Sequence, residues 1–180
     1  MRSTPSTGTE RVQMKKSRTN VARFLETSGI VCEEHHYDIA DGAIDAVSVA
    51  RKLGKPVEQV FKTLVTVSNQ HDNFVFVVPA ADELDLKKAA RSVERKSIEM
   101  IPLKQLLPLT GYVHGGCSPI GMKKHFPTVI DETAQLFDTI CVSGGCVGCN
   151  IEVDPVKLAA FLNAAFADLT KAKEFQAEVK

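Results

Sequence analysis

Apolar and polar residues follow two rhythms along the chain, one helical and one extended. In "TNVARFLETSG", Val21, Phe24 and Leu25 share one helical face and Gly29 ends it, which predicts a helix. "IVCEEHHYDI" predicts a strand, and "DAVSVARKLG" a short helix stopping at Gly54, with Pro56 opening another turn at "PVEQV". "FKTLVTVS" and "NFVFVVPA" are rich in β-branched and aromatic residues around the turn "NQHD", the pattern of a hairpin. "DELDLKKAARSVE" is amphipathic, with Leu84, Ala89 and Ala90 towards one face and Lys87, Lys88 and Arg91 towards another. "SIEMI", "GYVHG", "TVIDE", "TICVS" and "NIEV" are short strand candidates between Gly and Pro signals. A final helix is expected from the cap Asp154 and Pro155, with an apolar side running from Val156 through Phe161 and Ala165 to Leu169. Hairpins interspersed among helices predict one α+β domain with a largely mixed sheet, not a regular parallel α/β fold.

Composition narrows the function classes. At 180 residues the chain is long enough for one domain with a real core, and 44% hydrophobic with 24% charged residues is ordinary for a soluble globular protein. The formal net charge is zero but unevenly placed: the first 18 residues hold Arg2, Arg11, Lys15, Lys16 and Arg18 against Glu10 alone, so the remaining body is acidic. Such a body lacks the broad basic footprint of a duplex-DNA binder. The segment "MRSTPSTGTERVQ" has almost nothing apolar to bury, so residues 1–18 are expected to be a disordered extension with the ordered body starting near Thr19. No apolar run reaches transmembrane length and no secretory h-region is visible. Five cysteines at irregular spacing make no disulfide framework, which favours a reducing cytoplasm.

Candidate chemistry is sparse. Cys146 and Cys149 form a C-x-x-C pair, but a closed zinc site needs two more ligands at recognised spacing. A redox pair would open a helix, whereas "NIEVD" after this pair is strand-like. Two small residues in a tight loop is the simpler reading. "GCSPIG" around Ser118 is not a nucleophile elbow, there is no P-loop, and His114 is either a strand histidine or a general base. What stands out are two glycine loops, "HGGCSPIG" and "SGGCVGCN". Adjacent glycines are either plain turns or places where backbone N–H groups converge on an oxygen. Lys62, on the strand "QVFKTL", is by itself an edge residue or a site cation.

Together "VFKTLV", "ELDLKKAA", "TGYVHGGCSPIGMKK", "PTVIDETA" and "VSGGCVGCNIEV" resemble, in order and spacing, the YbaK/prolyl-tRNA synthetase insertion-domain family. The resemblance runs from about Thr19 to Thr170, leaving 171–180 as a tail, and is greatest to the branch that clears cysteine mischarged on proline tRNA. It implies a single domain with a mixed, partly barrel-like sheet flanked by helices. It implies an aminoacyl-tRNA deacylase acting on the 3′ end of tRNA, with prolyl-tRNA synthetase as a protein partner and no membrane, DNA, cofactor or metal. Lys62 matches the family's essential lysine, with Thr63 beside it. Gly115 and Pro119 match the G-x-x-x-P loop facing the ester, with Gly115 and Gly116 expected to supply backbone N–H groups; Ser143 and Gly145 match the S-G-G loop, and Tyr37 a pocket aromatic. Asn150 stands where an acidic residue is expected, and Ile44 is the only side chain near the place of a second aromatic. The resemblance further implies that the substrate's own thiol attacks its carbonyl, with water as nucleophile for alanine-type substrates.

Overall fold

The computed structural model describes residues 18–173. The predicted extension up to Ser17, and all but the first three residues of the tail, lie outside them. Thr19 caps α1 (Asn20–Thr27), its side chain accepting from the Ala22 N–H at 3.2 Å. Then come β1 (Cys32–His36), α2 (Ala46–Leu53) and a 3-10 turn at Val57–Gln59. Asp45 caps α2, and Gly54 ends it in the left-handed region that a glycine enters without strain. The predicted hairpin is β2 (Phe61–Ser68) and β3 (Asn73–Pro79), antiparallel with Lys62 opposite Val78.

After it follow α3 (Leu86–Ser92), β4 (Ile98–Met100), α4 (Leu103–Thr110), β5 (Thr128–Asp131), a 3-10 turn at Glu132–Leu136, β6 (Ile140–Ser143), β7 (Cys149–Val153), α5 (Pro155–Leu162) and β8 (Ala165–Ala167). The strands form two sheets. One is mixed, in the order β4-β2-β3-β5-β8, and the other is antiparallel, in the order β1-β7-β6. The sheets meet where Val60 pairs with Cys141 but do not close into a barrel. The single, partly barrel-like sheet expected from the sequence is thus two open ones, the larger ending in three-residue strands, β4 and β8.

The hairpin is the centre of the core. Phe61 and Val77 pack with α1, α5 and the inner faces of β5, β6 and β7. Phe74, Phe76 and Val78 pack on the opposite side with Ala89 and Ala90 of α3. A strand covered on both faces reads as a continuous apolar run, which is why "NFVFVV" shows no alternation.

Two elements differ from the sequence expectation. "GYVHG" is not a strand: Gly111 ends α4 with φ +84°, and the chain then loops to β5. The helix was hidden because Pro108 lies inside it and Pro102 offers no capping side chain. The last helix stops at Leu162, where Asn163 takes a left-handed conformation (φ 52°). Ala165 and Phe166 then belong to β8, which pairs in parallel with β5, and Leu169 to the segment beyond.

Candidate active site

One pocket of about 230 Å³ opens where the two sheets meet. Six of the sequence-predicted residues line it: Tyr37, Lys62, Thr63, Gly115, Ser143 and Asn150. Topology brings them together. Lys62 and Thr63 start β2, Ser143 ends β6 opposite Asn150 of β7, Tyr37 follows β1, and Gly115 belongs to the loop after α4. Val60, Phe61 and Leu106 supply apolar wall.

Lys62 is the charged centre. Its ammonium donates to the Ala80 carbonyl at 3.1 Å and to the Asp82 carbonyl at 2.6 Å. An ammonium has three donors, so one remains for a ligand. Burial lowers the Lys62 pKa, while Asp82 and Glu83 pull it back up. The neighbouring Thr63 hydroxyl is buried without a hydrogen-bond partner among the described residues. Ser143 accepts the Gly145 N–H at 3.2 Å, which fixes the second glycine loop and leaves its own proton to donate. Asn150 is only 5% exposed and sets a neutral amide at the wall. Burial pushes the Tyr37 phenol up. It also pushes the Cys117 thiol, at the same pocket, up to about 12 against an opposing hydrogen bond with Thr110.

Three predicted residues stand elsewhere. Gly116 is buried, its N–H donating to the Val113 carbonyl at 3.0 Å, so that donor is already engaged. A Cβ on Gly116 would meet the Cys146 backbone at 3.0 Å, so its missing side chain lets the two glycine loops touch. Gly145, at φ +96°, is packed against Tyr112 and Val21. Pro119 lines a second cleft of about 250 Å³ with Phe24, Met122, Phe126 and Phe161. His114 lines the first pocket from a loop, not from a strand.

Sequence reasoning missed Lys52. From α2 its ammonium donates to Asp38 O (2.7 Å), Asp41 Oδ1 (2.7 Å) and Ala43 O (2.9 Å), and lies 6.0 Å from the Tyr37 ring centroid. It staples the loop that ends in Ile44 at the pocket edge. Only its helical position, facing back over that loop, could have signalled this.

The C-x-x-C pair closes a tight turn, with the Cys149 N–H donating to the Cys146 carbonyl at 3.4 Å; Cys146 is exposed and Cys149 buried. Among the described residues two groups have metal-ligating atoms within 4.8 Å of one another, Glu34–His36–Cys149 and Glu33–His35–Glu152. Both are already engaged in protein contacts. Glu34 accepts from the Thr19 N–H at 3.1 Å and contacts His36 at 2.6 Å. Glu152 accepts from Lys55 at 2.8 Å and Thr139 at 2.6 Å. Among the basic residues, Lys88 is tied to Asp168 and the Thr170 carbonyl, both at 2.7 Å.

Residues 41–161 match the model of the aminoacyl-tRNA editing domain. A relative in Enterococcus faecalis (strain ATCC 700802 / V583), named as a proposed Cys-tRNA(Pro)/Cys-tRNA(Cys) deacylase, EbsC, is 43% identical over 155 residues, covering 86% of this chain and 94% of that protein. The crystal structure of a proposed trans-editing enzyme for prolyl-tRNA synthetase superposes with a TM-score of 0.73 at 28% identity, over 87% of this chain and all of that one. The structure of hypothetical protein APE2540 has the same fold, with a TM-score of 0.77 at 19% identity over 84% of this chain and 99% of that one.

Proposed function

The chain belongs to the aminoacyl-tRNA editing domain family, and from that premise we propose that it is a trans-acting deacylase removing cysteine from mischarged proline tRNA. The observation that carries this reading is the convergence of Lys62, Thr63, Gly115, Ser143 and Asn150, from four separate strands and loops, on one pocket. In this reading residues 19–170 form the editing domain, working in the cytoplasm beside prolyl-tRNA synthetase. Among the described residues no helix is long and apolar enough to cross a membrane.

An aminoacyl ester is already activated, so the protein has to orient it and stabilise the oxygen that gains charge. The free donor of Lys62 meets the terminal ribose or the ester carbonyl, and Gly115 lies against the aminoacyl group. Ser143 and Asn150 offer neutral hydrogen bonds to the amino acid. Tyr37 and Ile44 close the pocket edge. The substrate thiol loses its proton and attacks the ester carbonyl carbon. A C–S bond forms, the ester C–O bond breaks, and the departing ribose oxygen takes up a proton. The product is a cyclic thiolactone that water opens to free cysteine. Lys123 and Lys124, exposed on the loop between α4 and β5, meet backbone phosphates.

Single-turnover deacylation of cysteinyl- and alanyl-proline tRNA tests this, with native protein and Lys62→Ala. Loss of cysteine is expected with native protein, and a rate lower by about a hundredfold or more with the variant. Release of alanine alone would assign the pocket to an alanine-type substrate and make water the nucleophile. No turnover of either ester, with prolyl-tRNA synthetase present, would leave a binding module.

A further inference from the structure

The two carbonyls that hold Lys62 belong to the short loop after β3, and a loop can hold an ammonium only as firmly as it is itself held. Here the holder is the segment after β8. The Lys171 N–H donates to the Glu83 carbonyl at 3.0 Å, the Asp85 N–H to the Leu169 carbonyl at 2.8 Å, and Leu84 pairs with Thr170 in an antiparallel bridge. Side chains repeat the connection: Lys171 with Glu83 at 2.5 Å, Lys173 with Asp82 at 3.4 Å, and Lys88 with Asp168 at 2.7 Å. The segment is anchored from below, since Leu169 is fully buried and its N–H donates to Asp131 Oδ2 at 2.9 Å. A chain that were merely a tail would need none of these bonds.

We propose that residues 168–173 are a strap that positions Lys62 through the Ala80–Glu83 loop, with Asp82 and Glu83 as positioning residues. The proposal rests on the reading of Lys62 as the catalytic lysine. Isolated exposed ion pairs contribute little, so the backbone bonds carry the fastening and the side-chain charges set the field at the ammonium. The loop presents Asp82 and Glu83, and the strap presents Lys171 and Lys173. The other pocket walls present Tyr37 after β1, His114 and Cys117 from the loop after α4, and Cys149 on β7. Burial pulls the Lys62 pKa down and the two loop carboxylates pull it up, so removing their charge makes Lys62 lose its proton at lower pH.

The test is the pH–rate profile of cysteinyl-tRNA deacylation by full-length native protein, Lys62→Ala, Asp82→Asn/Glu83→Gln and Lys171→Glu/Lys173→Glu, each with its thermal midpoint. For Asp82→Asn/Glu83→Gln, the alkaline limb of kcat moves to lower pH with the thermal midpoint retained. For Lys171→Glu/Lys173→Glu, which sets like charges against the loop, plateau kcat falls about tenfold with KM little changed and the thermal midpoint retained. The strap is overturned if both variants superimpose on native in kcat and alkaline limb while Lys62→Ala is inactive. It is equally overturned if rate and thermal midpoint fall together with the limb unmoved, the mark of a structural role. Native-like activity in Lys62→Ala would refute the catalytic reading instead, and the strap's role with it.

Discussion

Among the described residues the Thr63 hydroxyl is buried without a partner, and an unsatisfied buried polar group costs roughly 1–3 kcal/mol. Valine has the same shape without the oxygen. Thr63→Val is therefore expected to leave the folded state as stable as native, or more stable by about 1 kcal/mol, in urea unfolding. The same variant is expected to lose deacylase activity by about tenfold, because a destabilising group kept at a pocket wall marks a place where function opposes stability. A stability loss with unchanged activity would remove Thr63 from the site. Lys62 and Thr63 were legible as a pair only through the family resemblance, since a strand lysine alone has an ordinary solvated reading. The orphaned state of the hydroxyl is a property of packing, which no local pattern encodes. Lys52 was illegible for the same reason: its three acceptors lie 9 to 14 residues upstream on an irregular loop.

The two glycine loops act as one unit. Gly116 faces the Cys146 backbone so closely that a methyl group would sit 3.0 Å from Cys146 C and Cα and Val147 N. These are backbone atoms and cannot turn aside as a flexible side chain can. Gly116→Ala is thus expected to cost about 1–3 kcal/mol of stability by overpacking and to spread Gly115 away from the opposing loop. Chemical unfolding checks the first effect and a raised KM for the aminoacyl ester checks the second. The doublets "HGG" and "SGG" were visible in the sequence as plain turns or as places where backbone N–H groups converge on an oxygen, but not as approaching each other. The elements that the sequence predicted well, the hairpin and the capped start of α5, carry their signal locally, in β-branched runs and in Asp154–Pro155. Those it missed, α4 and the switch from α5 to β8, depend on tertiary pairing. Pro108 is tolerated in α4 because that helix packs Leu106 and Leu109 into the core, and Ala165–Ala167 is extended because β5 offers it an edge.

At the scale of the molecule, the two sheets are joined by charge as well as by packing. Glu152 on β7 accepts from Lys55 after α2 at 2.8 Å, contacts His35 of β1 at 2.8 Å, and accepts from Thr139 before β6 at 2.6 Å; Thr139 in turn accepts from Gln59. Its carboxylate side chain is only 11% exposed. Burial alone would raise its pKa, but the hydrogen bonds from Lys55, Thr139 and His35 prevail and hold it at about 2, against 4.5 for a free glutamate. The sign follows from linkage: a folded-state pKa below the unfolded one stabilises the fold above the unfolded pKa, and that stability is lost as pH falls through the folded value. For Glu152 the window lies between 4.5 and about 2, and the contribution is on the order of 3 kcal/mol at neutral pH. Urea unfolding measured from neutral pH downwards is expected to show stability level above this window and falling within it. Glu152→Gln is expected to flatten that fall and to lower stability at neutral pH, because Lys55 then keeps its charge without a carboxylate partner. A Gln variant with the same acid slope as native would place the acid sensitivity elsewhere, first at Glu34, where burial raises the pKa but the bonds from Thr19 and His36 bring it below the usual carboxylate value. The network reaches the pocket through strand register: Glu152 lies two residues from Asn150, whose neighbour across β1 is the same His35 that contacts Glu152. Loosening it in acid is therefore expected to depress deacylation before the protein unfolds, with the rate falling at a higher pH than the unfolding midpoint in native protein and the two coinciding in Glu152→Gln.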